Sequence, residues 1–94
     1  MYRIVLSCKG ISESAAKSGI ADIAQEFVER PWHKNVQCRW NGSSVMLQAD
    51  NDFDSSGQAL LDEFSDVVCA CIPIETTTIS FAIESVGTVA GTDA

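Results

Sequence analysis

One acidic segment of the chain has the residue types and the spacing of a calcium-binding loop. Asp52, Asp54 and Ser56 offer oxygen ligands at alternate positions, Gly57 follows them, and Glu63 stands at the twelfth position of the segment. Calcium takes oxygen ligands in this order in twelve-residue loops. The segment follows a predicted strand, however, and Glu63 falls within a predicted helix. We therefore predict that the acids cap the start of that helix, and the alternative is a calcium or magnesium site.

The four cysteines could form a soft-metal or redox site. Cys69 and Cys71 are two residues apart, and thiolates bind soft metals. Residues two apart on a helix do not face each other, and Cys71 continues an apolar stripe. Cys8 lies near a lysine and a predicted helix start, which activates a thiolate, but its strand position points it into the core. We predict buried, unreactive thiols, with a thiol site at Cys8, Cys69 and Cys71 as the alternative.

His33 is the single histidine of the chain, and it follows Trp32. A histidine in hydrogen-bond contact with a cysteine could activate that thiol as a nucleophile. The predicted layout of the chain places Cys8 and His33 a strand length apart, roughly 17–20 Å. We therefore predict no catalytic residue, no metal and no cofactor, and we expect His33 to be a surface loop residue. Trp32 is an alternative contact residue for a partner.

The hydrophobic periodicity of the chain defines the elements that position these groups. Alternating residues predict four strands, over 2–9, 36–40, 45–49 and 79–84. Apolar residues at spacings of three and four predict two helices between these strands. The first helix begins after Ser12 and ends before Pro31, and the second begins at Ser55 or Asp54 and ends before Pro73. Ser55 and Gln58 have the spacing of a capping box.

Two strand–helix–strand units in series, joined at Asn41-Gly42 by a tight hairpin, predict an α+β fold. Right-handed crossovers then give a four-stranded antiparallel sheet in the order 4-1-3-2, with two helices on one face. This βαββαβ two-layer sandwich resembles the ferredoxin-like fold in layout. The resemblance covers residues 2–86 and implies no function, because the fold hosts many. We predict a single domain over 1–94, with an ordered core over 2–86 and a frayed tail over 87–94.

Charge and hydropathy argue against several classes of partner. The chain has 94 residues and a net charge of −7, with six Lys and Arg against thirteen Asp and Glu. Nucleic acids and anionic membranes bind basic surfaces, so we expect neither as a partner. No segment reaches the roughly 20 apolar residues that span a bilayer, and the apolar start is too short for a signal peptide. We therefore expect a cytoplasmic protein with reduced thiols.

The sheet face that lies opposite the helices is the predicted interface. Strand alternation assigns to it the following interface candidates: Arg3, Val5, Ser7, Arg39, Met46, Ser80 and Ala82. A face that nothing covers in one copy often packs on a second copy, and two-fold dimers are the commonest closed assembly. We expect a homodimer, with a solvated monomer as the alternative.

Three functions are consistent with this layout. The first is a small non-catalytic assembly, regulatory or partner-binding module, which we favour because no nucleophile and base are brought together. The second is a small dimeric enzyme with a pocket between helices and sheet, or between subunits, with Arg3, Arg39 and His33 as its polar candidates. The third is a metal-binding protein that uses the acidic 50–57 loop or the cysteine-bearing end of the sheet.

Overall fold

The computed structural model of the chain describes residues 1–72 and 79–89. The described elements, in chain order, are β1 (Tyr2–Lys9), α1 (Glu13–Val28), β2 (Lys34–Trp40), β3 (Ser44–Asn51), α2 (Gln58–Cys71) and β4 (Ser80–Thr88). All neighbouring strands are antiparallel, in the order β2-β3-β1-β4. This is the predicted order read from the opposite edge, so the α+β ferredoxin-like layout is confirmed.

The core lies between the sheet and the two helices, on the face that strand alternation predicted. Ile4, Leu6 and Cys8 of β1 are fully buried, as are the alternate residues of β3. From the helices the fully buried side chains are those of Ala16, Ile23, Phe27, Leu60, Phe64 and Val68. Their spacings of four and seven place them on one side of each helix, so each helix buries one apolar stripe. Neither α1 nor α2 is long and apolar enough to cross a membrane.

The two helices approach each other closely where α2 ends. A Cβ atom added at Gly19 of α1 would lie 2.5 Å from Cγ1 of Ile72, and Ile72 is buried. Glycine costs about 1 kcal/mol in a helix relative to alanine. Here its missing side chain lets the end of α2 pack against α1. Pro73, the predicted stop of this helix, lies outside the described residues.

A β-bulge interrupts the pairing of β1 with β4. Leu6 pairs with Ile83 and Val5 pairs with Ser85, so Glu84 has no partner of its own on β1. A bulge of this kind inserts one residue and re-aims its side chain. The strand then continues to Thr88, two residues beyond the expected end of the ordered core at 86. Residues 90–94, the remainder of the predicted tail, lie outside the described residues.

Candidate functional site

One end of the sheet gathers most of the buried polar groups. The turn after α1 meets the end of β3 and the first turns of α2 there, which confirms that His33 and the acidic loop lie at the same end. We call His33, Glu63, Arg30 and Asn51 the His33 cluster. Its members come from three different segments of the chain, so the cluster joins them at this corner.

His33 is buried, and the expectation of a surface loop residue is wrong. Its side chain is 0% exposed, and its Nε2 lies 3.2 and 3.3 Å from the two carboxylate oxygens of Glu63. The rings of Phe27 and Trp32 lie 5.8 Å from the imidazole, centroid to centroid, and the ring of Phe53 lies 6.2 Å away. The turn after α1 folds back over Phe27, so the imidazole enters the protein although its backbone is irregular.

Asn51 determines which ring nitrogen of His33 carries the hydrogen. The Oδ1 of Asn51 accepts from the backbone N–H groups of Phe53 and Asp54, at 3.2 and 2.9 Å. The amide nitrogen of Asn51 therefore faces Nδ1 of His33, at 3.5 Å. An amide NH₂ is only a donor, so Nδ1 accepts. In the neutral imidazole the hydrogen is then on Nε2, and it is donated to Glu63.

Glu63 also accepts from Arg30. The Nε of Arg30 lies 3.0 Å from the Glu63 carboxylate, and the guanidinium carbon lies 5.1 Å from the centre of the Phe27 ring. Glu26, one helical turn before Arg30, lies 3.8 Å from it. The Glu63 carboxylate thus contacts both the Arg30 guanidinium and the His33 imidazole, and these contacts connect α2 to the turn that follows α1.

The acidic loop acts as a helix cap, as predicted, and the residue responsible is Asp54. Its carboxylate is buried and accepts from the N–H groups of Gly57, Ala59 and Leu60 at 3.0, 3.4 and 2.8 Å. These groups have no partner within the helix, and a carboxylate beside them also favours the helix dipole. The predicted capping box of Ser55 with Gln58 does not form.

Gln58 instead donates from its side-chain amide to Asp62, one turn further along α2. The backbone of Gly57, which precedes it, is left-handed at φ 82°. A Cβ atom added there would lie 3.1 Å from Val86 and 3.2 Å from Ile4. Position 57 therefore needs glycine for two independent reasons, its backbone angle and its close packing.

The four cation-ligand candidates are not gathered around one point. Asp54 holds backbone N–H groups, and Glu63 holds Arg30 and His33. Asp52 is exposed, and Ser56 accepts from the N–H of Gln58. Within residues 1–72 and 79–89, no group of three or more His, Cys, Asp or Glu is placed to hold a metal ion.

A second buried carboxylate lies on the other face of the same corner. The side chain of Asp50 is 1% exposed and receives two hydrogen bonds from Arg3, at 3.0 and 2.9 Å. Asn35 donates a third, at 2.8 Å, from a left-handed backbone at φ 54°. Burial raises the pKa of Asp50, but these hydrogen bonds and the Arg3 charge outweigh it, so that the pKa lies below its usual value. The hydrogen bond with Asp50 also raises the pKa of Arg3.

The sequence could have revealed this ion pair through the strand register. Arg3 and Asp50 are direct cross-strand neighbours on β1 and β3. The alternation over 45–49 predicts a strand that ends at Ala49, which places Asp50 in the loop, whereas β3 continues to Asn51. The left-handed Asn35 had no sequence signal beyond asparagine's tolerance of that conformation.

The predicted interface residues differ in their exposure. Arg3, Val5 and Met46 are half-buried, and Arg39, Ser80 and Ala82 are exposed. Ser7 is buried, and its hydroxyl donates to the carboxylate of Glu84 at the bulge.

The thiols fall into two environments, and the expectation of burial is wrong for one of them. Cys8 is in the core and Cys38 and Cys71 pack against it, whereas Cys69 is exposed. Burial raises the pKa of Cys8 to about 11 and that of Cys38 to about 12. Burial and the charges of two α1 carboxylates, Asp22 and Glu26, raise the pKa of Cys71.

We expect Ellman's reagent at pH 8 to label Cys69 first. A thiol whose pKa is raised to about 11 carries on the order of a hundred times less thiolate at pH 8 than an ordinary thiol. Cys8 lies in the core and Cys38 packs against it, whereas Cys69 is exposed, so both should label at least about a hundredfold more slowly than Cys69 until the protein unfolds. Peptide mass spectrometry after timed quenching measures this, with Cys69→Ser as the control. Rapid labelling of Cys8 in the folded protein would contradict the burial described above.

The contacts at this corner hold the turn after α1 and the acidic loop in place, and they leave the rings of Trp32 and Phe53 partly exposed. Trp32 is 47% exposed and Phe53 is 51% exposed, on either side of the buried His33 ring. Trp32 is thus exposed, as a contact residue for a partner must be. The fully buried imidazole stabilises this corner rather than contacting solvent.

No family model, curated protein or solved structure with which the chain was compared matches this chain.

Proposed function

We propose that this chain is a small non-catalytic assembly or partner-binding module that forms a homodimer through the open face of its sheet. The open face is the side of the sheet opposite the helices, and it carries Arg3, Val5, Ser7, Lys9, Gln37, Arg39, Met46, Gln48, Asp50, Ser80, Ala82 and Glu84. The observation that carries the proposal is the difference between the two faces. Ile4, Leu6 and Leu47 are fully buried under the helices, whereas Val5 and Met46, at the centre of the open face, remain partly exposed. An apolar centre with a polar rim is how protein interfaces are built.

The state of the reactive side chains supports a binding role. The carboxylates of Asp54 and Glu63 and the imidazole of His33 are each engaged by groups of the same chain. These contacts stabilise the fold around the acidic loop. The enzyme alternative would combine Arg3 and Arg39 with His33. By the strand register, Arg3 and Arg39 both lie on the open face. His33 packs on Phe27 of α1, on the opposite, helix-covered side of the sheet, so the three side chains do not share one site.

The charge and the cysteines support the remaining parts of the proposal. A net charge of −7 argues against a nucleic acid or an anionic membrane as the partner, because both bind basic surfaces. All four cysteines are free thiols, and a reducing compartment keeps them so. We therefore propose a cytoplasmic location.

Light scattering after size exclusion tests the dimer. At tens of micromolar the wild-type chain should elute with twice its mass of 10.1 kDa. Val5→Lys places two ammonium groups per dimer in the interface, and we expect at least about a hundredfold weaker association, since an unpaired buried charge costs several kcal/mol. Ala21→Lys, which adds the same charge on the exposed side of α1, should dimerise as the wild type does.

Circular dichroism of each variant separates loss of association from loss of folding. A wild-type chain that is monomeric at these concentrations would contradict the proposal. So would a folded Val5→Lys variant that associates as tightly as Ala21→Lys.

A further inference from the structure

The charges of the open face are arranged in rows that run across the strands. Arg39 of β2 pairs with Met46, Met46 pairs with Ser7, and Ser7 pairs with Ala82 of β4. The bulge brings Glu84 of β4 into this row, because its carboxylate accepts a hydrogen bond from Ser7. The row therefore carries a positive charge at the β2 edge and a negative charge towards the β4 edge.

A second row lies at the end of the sheet that carries the buried polar groups. Asp50 of β3 stands next to Arg3 of β1. These two strands are the central pair of the sheet. Lys34 of β2 also pairs with Asp50, at the edge of the sheet. The two residues next to the line between β3 and β1, Asp50 and Arg3, thus have opposite charges.

A two-fold axis along that line makes the open face complementary to itself. An axis parallel to the strands, between β3 and β1, places β2 of one copy over β4 of the second copy at the same height. Arg39 then lies over Ala82 of the second copy, beside the Glu84 carboxylate that Ser7 holds in this row, and Asp50 lies over Arg3 of the second copy. Stacked sheets lie about 10 Å apart and within about 30° of parallel, so long side chains from both copies meet between them.

The other face-to-face arrangement is electrostatically worse. A two-fold axis that crosses the strands through the middle of the face places each strand over its own reversed copy. Each end of β1 then lies over the opposite end of β1 in the second copy, so Arg3 lies over Lys9 of the second copy. Arg39 falls over Gln37 of the second copy and finds no carboxylate there. Opposed like charges disfavour wrong pairings more than matched charges add affinity.

We infer that the occupant of the open face is a second copy of this chain, related by a two-fold axis parallel to the strands, with Arg39 of each copy paired to Glu84 of the other. The inference rests on the proposed homodimer and adds its geometry and its specificity. Ser7 acts as a positioning residue, because its hydroxyl holds the Glu84 carboxylate towards the centre of the face.

Charge reversal tests the pairing. In an Arg39→Glu dimer, both contacts between positions 39 and 84 join Glu to Glu. In a Glu84→Arg dimer, both join Arg to Arg. Each variant alone should therefore associate at least about tenfold more weakly at low salt. In an equimolar mixture of the two variants, both contacts of a mixed dimer join opposite charges. We expect native mass spectrometry to find mixed dimers well above the statistical half, and the Arg39→Glu/Glu84→Arg chain to regain wild-type association within about threefold.

The controls separate this pairing from net charge and from folding. Lys17→Glu on α1 changes the net charge by the same amount as Arg39→Glu, at an exposed site, and should not weaken the dimer beyond about twofold. Glu84→Gln keeps an acceptor for Ser7 and should weaken association about threefold. A wild-type chain that is monomeric overturns both the proposed function and this inference. A wild-type dimer with statistical mixing, or with Arg39→Glu no weaker than Lys17→Glu, overturns the pairing alone.

Discussion

Replacing Asp54 by alanine is expected to lower the free energy of unfolding by about 3 kcal/mol, since three helix N–H groups lose their acceptor together. The most sensitive of the three is the N–H of Leu60, which lies 2.8 Å from the carboxylate. Leu60 is fully buried, so water cannot replace the lost oxygen. Urea unfolding followed by circular dichroism measures the change, which is a large part of the stability of a domain this small.

Two variants separate the cap from the charge of the loop. Asp54→Asn keeps one acceptor oxygen and should lose only about 1 kcal/mol. Asp52→Ala removes an exposed carboxylate two residues earlier and should change stability by less than about 0.5 kcal/mol. Equal losses in Asp52→Ala and Asp54→Ala would point to a shared role of the two acids and would contradict the assignment of Asp54 as the cap.

Replacing His33 by alanine is the second large change, and we expect a loss of about 3 kcal/mol. The imidazole fills the space between the rings of Phe27, Trp32 and Phe53, so its removal leaves a cavity. It also removes the hydrogen-bond partner of the buried Asn51 amide. The same unfolding experiment measures this loss.

The matched comparison is Trp32→Ala, at the neighbouring position. Trp32 is about half exposed, so we expect a loss of less than about 1.5 kcal/mol although a larger ring is removed. Glu63→Gln keeps an acceptor for Nε2 of His33 and should lose about 1 kcal/mol. A His33→Ala chain within about 1 kcal/mol of the wild type would show that the histidine behaves as an ordinary surface residue.

The sheet order was predictable from the sequence because three local signals agree. Alternation in 2–9 and 45–49 places the same residues in the core that the structure buries. Asn41 and Gly42 fix the hairpin between β2 and β3, and Gly42 has a φ of 104°. Once the crossovers are right-handed, these signals leave one strand order.

The departures occur where the backbone stops being periodic. The bulge at Glu84 shifts the alternation by one residue, so that the periodicity predicts a strand ending at residue 84, whereas β4 continues to Thr88. Asn35, in the left-handed region, lies at an irregularity in β2, so the strand begins two residues before its predicted start at Val36. Both features are single-residue irregularities, which hydrophobic periodicity over a window cannot detect.

The site was predicted only in its location. The topology brings His33 and the acids to one end of the sheet, and this followed from the order of the elements. The burial of His33 depends on how the turn after α1 folds over Phe27, and the cap depends on three hydrogen bonds to Asp54. Such contacts join residues without a fixed sequence spacing, so composition and periodicity do not reveal them.

An isotope-filtered nuclear Overhauser experiment tests whether the open face of the sheet is the interface of a homodimer. Chains labelled with ¹³C and ¹⁵N are mixed in equal amounts with unlabelled chains, so that only contacts between copies give signals. We expect signals from the methyl groups of Val5 and Met46 to residues of β1 and β3 in the other copy. A sample without such signals, or with signals confined to α1 and α2, would contradict a homodimer built on the open face of the sheet.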